Sequence, residues 1–179
     1  FIFFTYFFRI SNRILIADDN YVIAPADGTI VAIEPVMEDK FFHEERMQVS
    51  IFMSVFNVHA NWYPISGKIL HVSHQNGRKM AAYLPKSSAE NERSSVIIEA
   101  KNGQKILVRQ VAGALARRIV TYAKEGIECH INQQLGFIKF GSRVDMFLPM
   151  DAEILIDLHE DTVGNETIIA KLKHQGAEN

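Results

Sequence analysis

The sequence has little cysteine, no excess of basic charge and no apolar run of bilayer length. Cys129 is the single cysteine, which excludes an intramolecular disulfide and fits a reducing compartment. We expect Cys129 to be a small buried apolar residue. With 19 Lys and Arg against 21 Asp and Glu, the chain lacks the basic field of a nucleic-acid-binding protein. Its 179 residues, 47% of them hydrophobic, suffice for one domain with one core.

The first residues differ in composition from the rest of the chain. Phe1–Phe8 is a nearly continuous aromatic run, too short for a bilayer that a helix crosses with about 20 residues. Arg9 and Arg13 follow it, and aromatic side chains beside arginines suit a membrane interface. A hydrophobic strand packed on the core is the alternative, and the residues do not decide between the two. We describe residues 1–20 as an N-terminal membrane-proximal segment and residues 21–179 as the single domain.

Short β-type segments separated by turn residues dominate the chain after residue 20. An Asn-Gly pair at Asn102 predicts a hairpin turn. Residues 112–123 fit a short helix or a strand equally well. The pattern therefore predicts a mainly β fold, α+β at most, an antiparallel barrel-like or two-sheet sandwich domain with few short helices. The predicted strands cover residues 21–24, 29–33, 48–59, 95–99, 105–111, 139–148 and 153–158.

Three residues stand out as an acid, a base and a nucleophile. Asp27 lies in a turn between two predicted strands, His59 ends a hydrophobic strand, and Ser142 follows Gly141 in another strand. Only the fold can bring them together, and each has a common structural role. Asp before Gly is usually a turn former, for example. The residue types and their spacing therefore leave a catalytic triad undecided.

Five blocks of sequence carry more information than these single residues. The blocks are residues 25–30 (PADGTI), 51–61 (IFMSVFNVHAN), 91–93 (NER), 113–119 (GALARRI) and 136–145 (GFIKFGSRVD). In this order they resemble the motifs of the short bacterial phosphatidylserine decarboxylases, and the resemblance runs from about Ile23 to about Leu158. Any one block could match by chance, whereas a chance match of five blocks in the same order is very unlikely.

The resemblance implies that the chain cuts itself between Gly141 and Ser142, with Asp27, His59 and Ser142 as the processing triad. Ser142 would attack the Gly141 carbonyl while His59 acts as base and Asp27 orients the imidazole. Elimination and hydrolysis would leave a pyruvoyl group at residue 142 and two chains, 1–141 and 142–179. This pyruvoyl group is the implied cofactor, with no metal. Its Schiff base with the substrate amine would accept the electrons released with carbon dioxide, and His59 would return a proton.

The same resemblance implies the partners. The expected substrate is phosphatidylserine at a membrane surface, with phosphatidylethanolamine as product. We expect the two cleavage products to form a heterodimer and allow for a homo-oligomer, with no nucleic acid. The expected location is the cytoplasmic face of the cell membrane, peripheral or anchored by the N-terminal segment. Arg117 and Arg118 are candidate ligands of the substrate phosphate. Adjacent strand positions point to opposite faces, so at most one of them points inward.

Three positions depart from the family pattern. Phe56 stands where larger relatives have a second histidine, Asn57 where many short members have an acidic residue, and Trp62 where many have arginine. These differences concern substrate contacts, since none of them changes the residues implied in cleavage.

Particular residues bear on other possible functions of the chain. Another seryl phospholipid, archaetidylserine-like, would carry the same reacting group. A lipoyl- or biotin-carrier-like module would need a lysine at a hairpin tip, and no lysine lies in such a motif. A serine hydrolase would show Gly-x-Ser-x-Gly around Ser142, which is missing. His71 and His74 are spaced like metal ligands, but on a strand they face opposite sides and no third ligand is evident.

Overall fold

The computed structural model describes residues 13–77, 91–113, 118–138 and 141–173. Within these ranges every regular element is a β-strand, which confirms the predicted mainly β fold. The few expected short helices have no counterpart in the described ranges, and the undecided stretch 112–123 contains a strand. The strands are β1 (Tyr21–Ile23), β2 (Gly28–Glu38), β3 (Glu44–Met53), β4 (Ala60–Trp62), β5 (Gly67–Gln75), β6 (Arg93–Ala100), β7 (Lys105–Val111), β8 (Ile119–Thr121), β9 (Glu128–Cys129), β10 (Gln134–Ile138), β11 (Ser142–Leu148), β12 (Glu153–Ile154), β13 (Asp161–Thr162) and β14 (Ile168–Lys171).

The strands form one large sheet and two small ones. The large sheet has the order β13-β2-β3-β11-β7-β6-β5-β9, and it curls into a half-barrel. The small sheets have the orders β1-β14-β12 and β4-β10-β8. The strand pairs of all three sheets are antiparallel. β11 therefore lies in the middle of the large sheet, between β3 and β7.

The central strand β11 is buried along its whole length and on both faces. Val144, Met146 and Leu148 belong to the main core cluster, whereas Phe147 packs with Ile97 and Leu107 in a second cluster. Alternate residues of a strand point to opposite faces, so this division follows from the period of two. Ser142, the first residue of β11, thus begins a strand that is fixed by neighbours on both sides.

The predicted hairpin between β6 and β7 is confirmed. Gly103 adopts a positive φ of 84° and donates its N–H to the carbonyl of Ala100 at 2.9 Å. The Asn102 side chain also accepts the N–H of Gln104 at 3.0 Å. A glycine has no Cβ penalty in this left-handed conformation, which explains the Asn-Gly signal.

Two predicted strands end several residues earlier than predicted. The β-type run expected to end at His59 ends at Met53, because a turn follows in which the Ser54 N–H donates to the Asn57 side chain at 2.7 Å. His59 therefore lies in the loop before β4 and does not end a strand. The strand expected over residues 153–158 is limited to Glu153–Ile154.

Cys129 is 1% exposed, which confirms its predicted burial. Burial raises the pKa of the Cys129 thiol to about 11. A thiol with this pKa stays protonated at neutral pH and behaves as a packing residue.

The membrane-proximal interpretation of Phe1–Phe8 falls outside the described residues. Across the described ranges, no helix has the length and hydropathy that a membrane span requires. The described part of the N-terminal segment begins at Arg13, which contacts the domain as set out below.

Candidate active site

The predicted acid and nucleophile lie at the same end of the large sheet. Asp27 directly precedes β2, β3 ends at Met53, and Ser142 begins β11. Ser142 pairs with Met53, and Thr29 pairs with Phe52, so the three strand ends are nearly level. Neighbouring strands are about 4.8 Å apart, which puts the backbones of Asp27 and Ser142 roughly 10 Å from each other.

The peptide between Gly141 and Ser142 joins a left-handed residue to a buried strand. Gly141 has a φ of +55°, and a Cβ added there would meet no atom within 4 Å. Glycine is therefore required for the backbone conformation and not for lack of space. Ser142 has no exposed surface, and its hydroxyl donates to the thioether sulfur of Met53 at 3.4 Å.

His59 is held by the backbone of its own loop. Its side chain is 3% exposed, and Nδ1 lies 2.8 Å from the carbonyl oxygen of Asn57. A carbonyl only accepts, so Nδ1 carries the proton, and Nε2 of the neutral ring holds the basic lone pair. The carbonyl of His59 accepts the N–H of Ile138 at 3.2 Å. This bond ties the histidine loop to β10, the strand that leads to Gly141.

Asp27 binds a different set of groups. Both of its oxygens accept from the Arg13 guanidinium, with Nη2–Oδ2 at 3.1 Å, and Oδ1 also accepts the N–H of Gly164 at 2.8 Å. The hydrogen bond with Asp27 raises the pKa of Arg13 above its ordinary value. The structure therefore brings Asp27 and Ser142 to one end of the sheet, but among the described residues it joins Asp27 to Arg13 and Gly164 instead of His59.

Two of the three departures from the family pattern contact these site residues. Asn57 forms the turn through its side chain and holds His59 through its carbonyl. Trp62 lies beneath the Arg13 guanidinium, whose carbon is 5.3 Å from the ring centroid. Phe56, the third departure, is exposed in the same loop.

The sequence did not indicate the role of Arg13. It was interpreted only as a cation near a membrane, yet its side chain is 11% exposed. Its partners Asp27 and Gly164 are 14 and 151 positions away along the chain. No local pattern signals contacts of that separation, and only the fold reveals them.

The two arginine candidates are placed differently. Arg117 lies outside the described residues. Arg118 is exposed and directly precedes Ile119, which pairs with Ile138 at the end of the small sheet near His59. Its role toward a phosphate stays a prediction.

The His71 and His74 side chains pair with carboxylates. His71 Nδ1 lies 2.8 Å from Glu125, and His74 Nε2 lies 3.2 Å from Glu92, with both histidines close to half exposed. Over the described part of the chain, no group of three or more metal-ligating side chains comes together.

Comparison with known proteins points to one family. The model of the family described as phosphatidylserine decarboxylase matches residues 1–170. A phosphatidylserine decarboxylase proenzyme of Parabacteroides distasonis is 64% identical over 154 residues, 86% of this chain and 70% of that protein. The proenzyme of Phocaeicola vulgatus is 56% identical over 168 residues (93% and 74%), and that of Cytophaga hutchinsonii 49% over 165 residues (92% and 75%). No solved structure matches.

Proposed function

Because the chain belongs to the phosphatidylserine decarboxylase family, we propose that it decarboxylates phosphatidylserine to phosphatidylethanolamine with a pyruvoyl group made by self-cleavage between Gly141 and Ser142. The family, and with it an enzyme of the lyase class made as a proenzyme, was predicted correctly from the five sequence blocks. The observation that carries the cleavage proposal is the left-handed Gly141 beside the buried Ser142.

The proposed cleavage uses His59 as the base. Its Nδ1 proton is donated to the Asn57 carbonyl, and Nε2 is the ring nitrogen that would take the proton from the Ser142 hydroxyl. The Ser142 oxygen then bonds to the Gly141 carbonyl carbon, the Gly141–Ser142 C–N bond breaks, and the released nitrogen is protonated. Loss of the Cα proton and of the C–O bond frees the Gly141 carboxylate. Addition of water and departure of ammonia leave the pyruvoyl group at residue 142.

Asp27 enters this scheme through its position at the same sheet end. In the uncut structure its carboxylate is bound by Arg13 and Gly164. We propose that Asp27 stabilises the imidazolium of His59 at the moment of proton transfer, as carboxylates do for histidine bases. Arg13 then competes with His59 for the carboxylate.

In the second reaction, the pyruvoyl carbonyl supplies the electron sink for decarboxylation. The chain would position this group by packing, since in the uncut chain Ser142 has no exposed surface and β11 is buried on both faces. His59 would return a proton to the substrate carbon.

The proposed heterodimer of cleavage products is supported by the strand pairing. After a cut before Ser142, β11 still pairs with β3 and β7, β13 with β2, and β14 with β1. Each of these pairs joins the smaller product to the larger one. The two products are therefore expected to stay together until the domain unfolds.

We propose the cytoplasmic face of the membrane as the site of the reaction. The relatives' names give a lipid, and Phe1–Phe8 with its arginines has the composition of an interfacial segment. An archaetidylserine-like lipid carries the same seryl group, and we include it as a substrate in the assay. The family match favours the decarboxylase over a carrier-like module or a serine hydrolase.

Intact-mass analysis of the full chain tests the self-cleavage. We expect two masses that correspond to residues 1–141 and 142–179. The mass of the second chain should be lower than its sequence gives, because its first residue is converted from serine to pyruvoyl. Ser142→Ala is expected to give one uncut mass and no decarboxylation of either lipid. The control Ser73→Ala, on β5, should be cut like the unsubstituted chain. A single intact mass from a chain that releases carbon dioxide from phosphatidylserine would refute the proposal.

A further inference from the structure

A hydrogen-bond chain, buried except at the half-buried Thr121, ends at the candidate nucleophile. It links strands of the large sheet to the small sheet β4-β10-β8 through side chains alone. Oxygen–oxygen and nitrogen–oxygen distances along it are 2.7 to 2.8 Å, and the two contacts to the methionine sulfur are 3.6 and 3.4 Å. In order, its members are Ser94, Thr121, Gln110, Asn61, Met53 and Ser142.

From Ser94 to Met53 the donors all point toward the methionine sulfur, and Ser142 donates to that sulfur from the other side. The Gln110 amide nitrogen donates to Asn61 Oδ1, so Gln110 Oε1 faces Thr121 and must accept its hydroxyl proton. Thr121 has no second proton, so the Ser94 hydroxyl donates to it. With Oδ1 occupied by Gln110, the Asn61 amide nitrogen is the group that faces the Met53 sulfur. The far end of the chain therefore fixes the orientation of the Asn61 amide.

The hydrogen-bond chain lies in the core, where apolar side chains would be expected. Asn61 and Ser142 have no exposed surface, and Gln110 and Ser94 are each 1% exposed. A buried amide loses stability unless its groups are hydrogen-bonded, and an apolar side chain would fill the same space without that requirement. A connected polar chain kept in the core and ending at one hydroxyl indicates a positioning role for that hydroxyl.

The acceptor at the end of the chain suits a nucleophile. A thioether sulfur accepts only weakly, so it orients the Ser142 hydroxyl without holding its proton firmly. A carboxylate or amide oxygen in its place would compete with the base for that proton. The Met53 side chain is flexible by itself, and the Asn61 amide on the same sulfur restricts it.

We propose that Asn61, oriented by Gln110, is a positioning residue for self-cleavage, because it holds the Met53 sulfur that orients the Ser142 hydroxyl. This inference rests on the proposed cleavage at Ser142. It assigns Asn61, Gln110 and Met53 to the orientation of the nucleophile, with His59 left as the base.

The first test compares two methionines of the same core. Full-length precursor is synthesised in a cell-free system, and its conversion to two chains is followed over time. Met53→Leu removes the sulfur at nearly constant volume, a change that costs little stability. We expect the cleavage rate constant to fall roughly tenfold or more, since small misplacements of reacting groups are costly. The control Met146→Leu, also fully buried, should cleave at the unsubstituted rate.

The second test uses pH to separate positioning from general damage. Gln110→Glu keeps the oxygen that faces Thr121, but the ionised carboxylate cannot donate to Asn61. When the carboxyl group of the variant is protonated, its O–H donates to Asn61 and restores the hydrogen-bond chain. The ratio of the variant's cleavage rate to that of the unsubstituted chain is therefore expected to rise as pH falls from 8 to 6. The control Gln104→Glu, at a half-buried position in the turn between β6 and β7, should show a constant ratio near one.

The outcomes distinguish this inference from the function on which it rests. If the unsubstituted chain is never cut, the proposed function fails. If it is cut and Met53→Leu cleaves as fast as Met146→Leu, the positioning role is wrong. A Gln110→Glu ratio that is low but constant with pH, together with a lowered melting temperature, would show a structural role only and would also overturn the inference.

Discussion

Replacement of Arg13 by glutamine removes the guanidinium that binds both oxygens of Asp27. The same guanidinium donates to the carbonyl of Gly164 at 2.9 Å and lies over the ring of Trp62. The substitution leaves the Asp27 carboxylate with the Gly164 N–H as its remaining described donor. It therefore tests whether this pair fixes the N-terminal segment to the domain.

The expected size of the effect follows from burial. The Arg13 and Asp27 side chains are 11% and 13% exposed, so this ion pair is intermediate between an exposed pair and a fully buried one. An exposed pair contributes up to about 1 kcal/mol to stability, whereas the loss of one partner of a buried pair costs about 3 to 5 kcal/mol. We expect Arg13→Gln to lower the free energy of unfolding by about 2 kcal/mol. The bidentate geometry supports a value above that of an ordinary surface pair.

A double-mutant cycle measures the pair itself. Arg13→Gln, Asp27→Asn and the double variant are unfolded in urea, all in the uncut Ser142→Ala chain so that cleavage does not alter the transition. We expect a coupling energy of about 1 to 2 kcal/mol. The exposed pair of Lys101 and Asp19, at 2.9 Å, is the control and should show less than about 0.5 kcal/mol. Equal coupling in the two pairs would refute the reasoning.

Two further predictions concern the surroundings of the site and the core. Gly164→Ala should lower the free energy of unfolding by roughly 1 to 3 kcal/mol in thermal denaturation, because its Cβ would lie 2.7 Å from the Trp62 ring; an unchanged midpoint would contradict this. The pKa of the Cys129 thiol is about 11 in the folded state, against an ordinary value of 9.0. Stability should therefore fall by up to roughly 3 kcal/mol between pH 9 and 11. The Cys129→Ala variant should not show this loss of stability. Identical profiles of stability against pH for the variant and the unsubstituted chain would refute the prediction.

The fold was predictable where its signals are local. Alternating β-type residues and the Asn102-Gly103 pair predict the hairpin of β6 and β7, since both patterns act over a few residues. The order of strands in the large sheet did not follow from such patterns. β11 inserts between β3 and β7, which precede it by many residues, and no turn signal specifies that pairing.

The loop around His59 shows how a side chain overrides a local pattern. Residues 48–59 are rich in β-type residues, which predicted one strand. Asn57 instead accepts the N–H of Ser54 and turns the chain. Polar side chains that bond to nearby backbone groups compete with strand pairing in this way.

The candidate site depended on different information. Residue types left a triad of Asp27, His59 and Ser142 undecided, and only the resemblance of the ordered blocks to the family implies it. The surroundings of these residues could not be predicted, because Arg13, Gly164, Asn61 and the other contacting groups come from distant parts of the chain. Their roles depend on the strand register, which only the structure provides.

The central claim is that residue 142 carries the reacting carbonyl. It is tested most directly by incubation of the cut protein with phosphatidylserine vesicles and cyanoborohydride, followed by mass mapping of both chains. The account predicts a lipid-derived adduct on the N-terminal residue of the smaller chain, which begins at position 142, and none in the Ser142→Ala protein. An adduct on a lysine of the larger chain would contradict it.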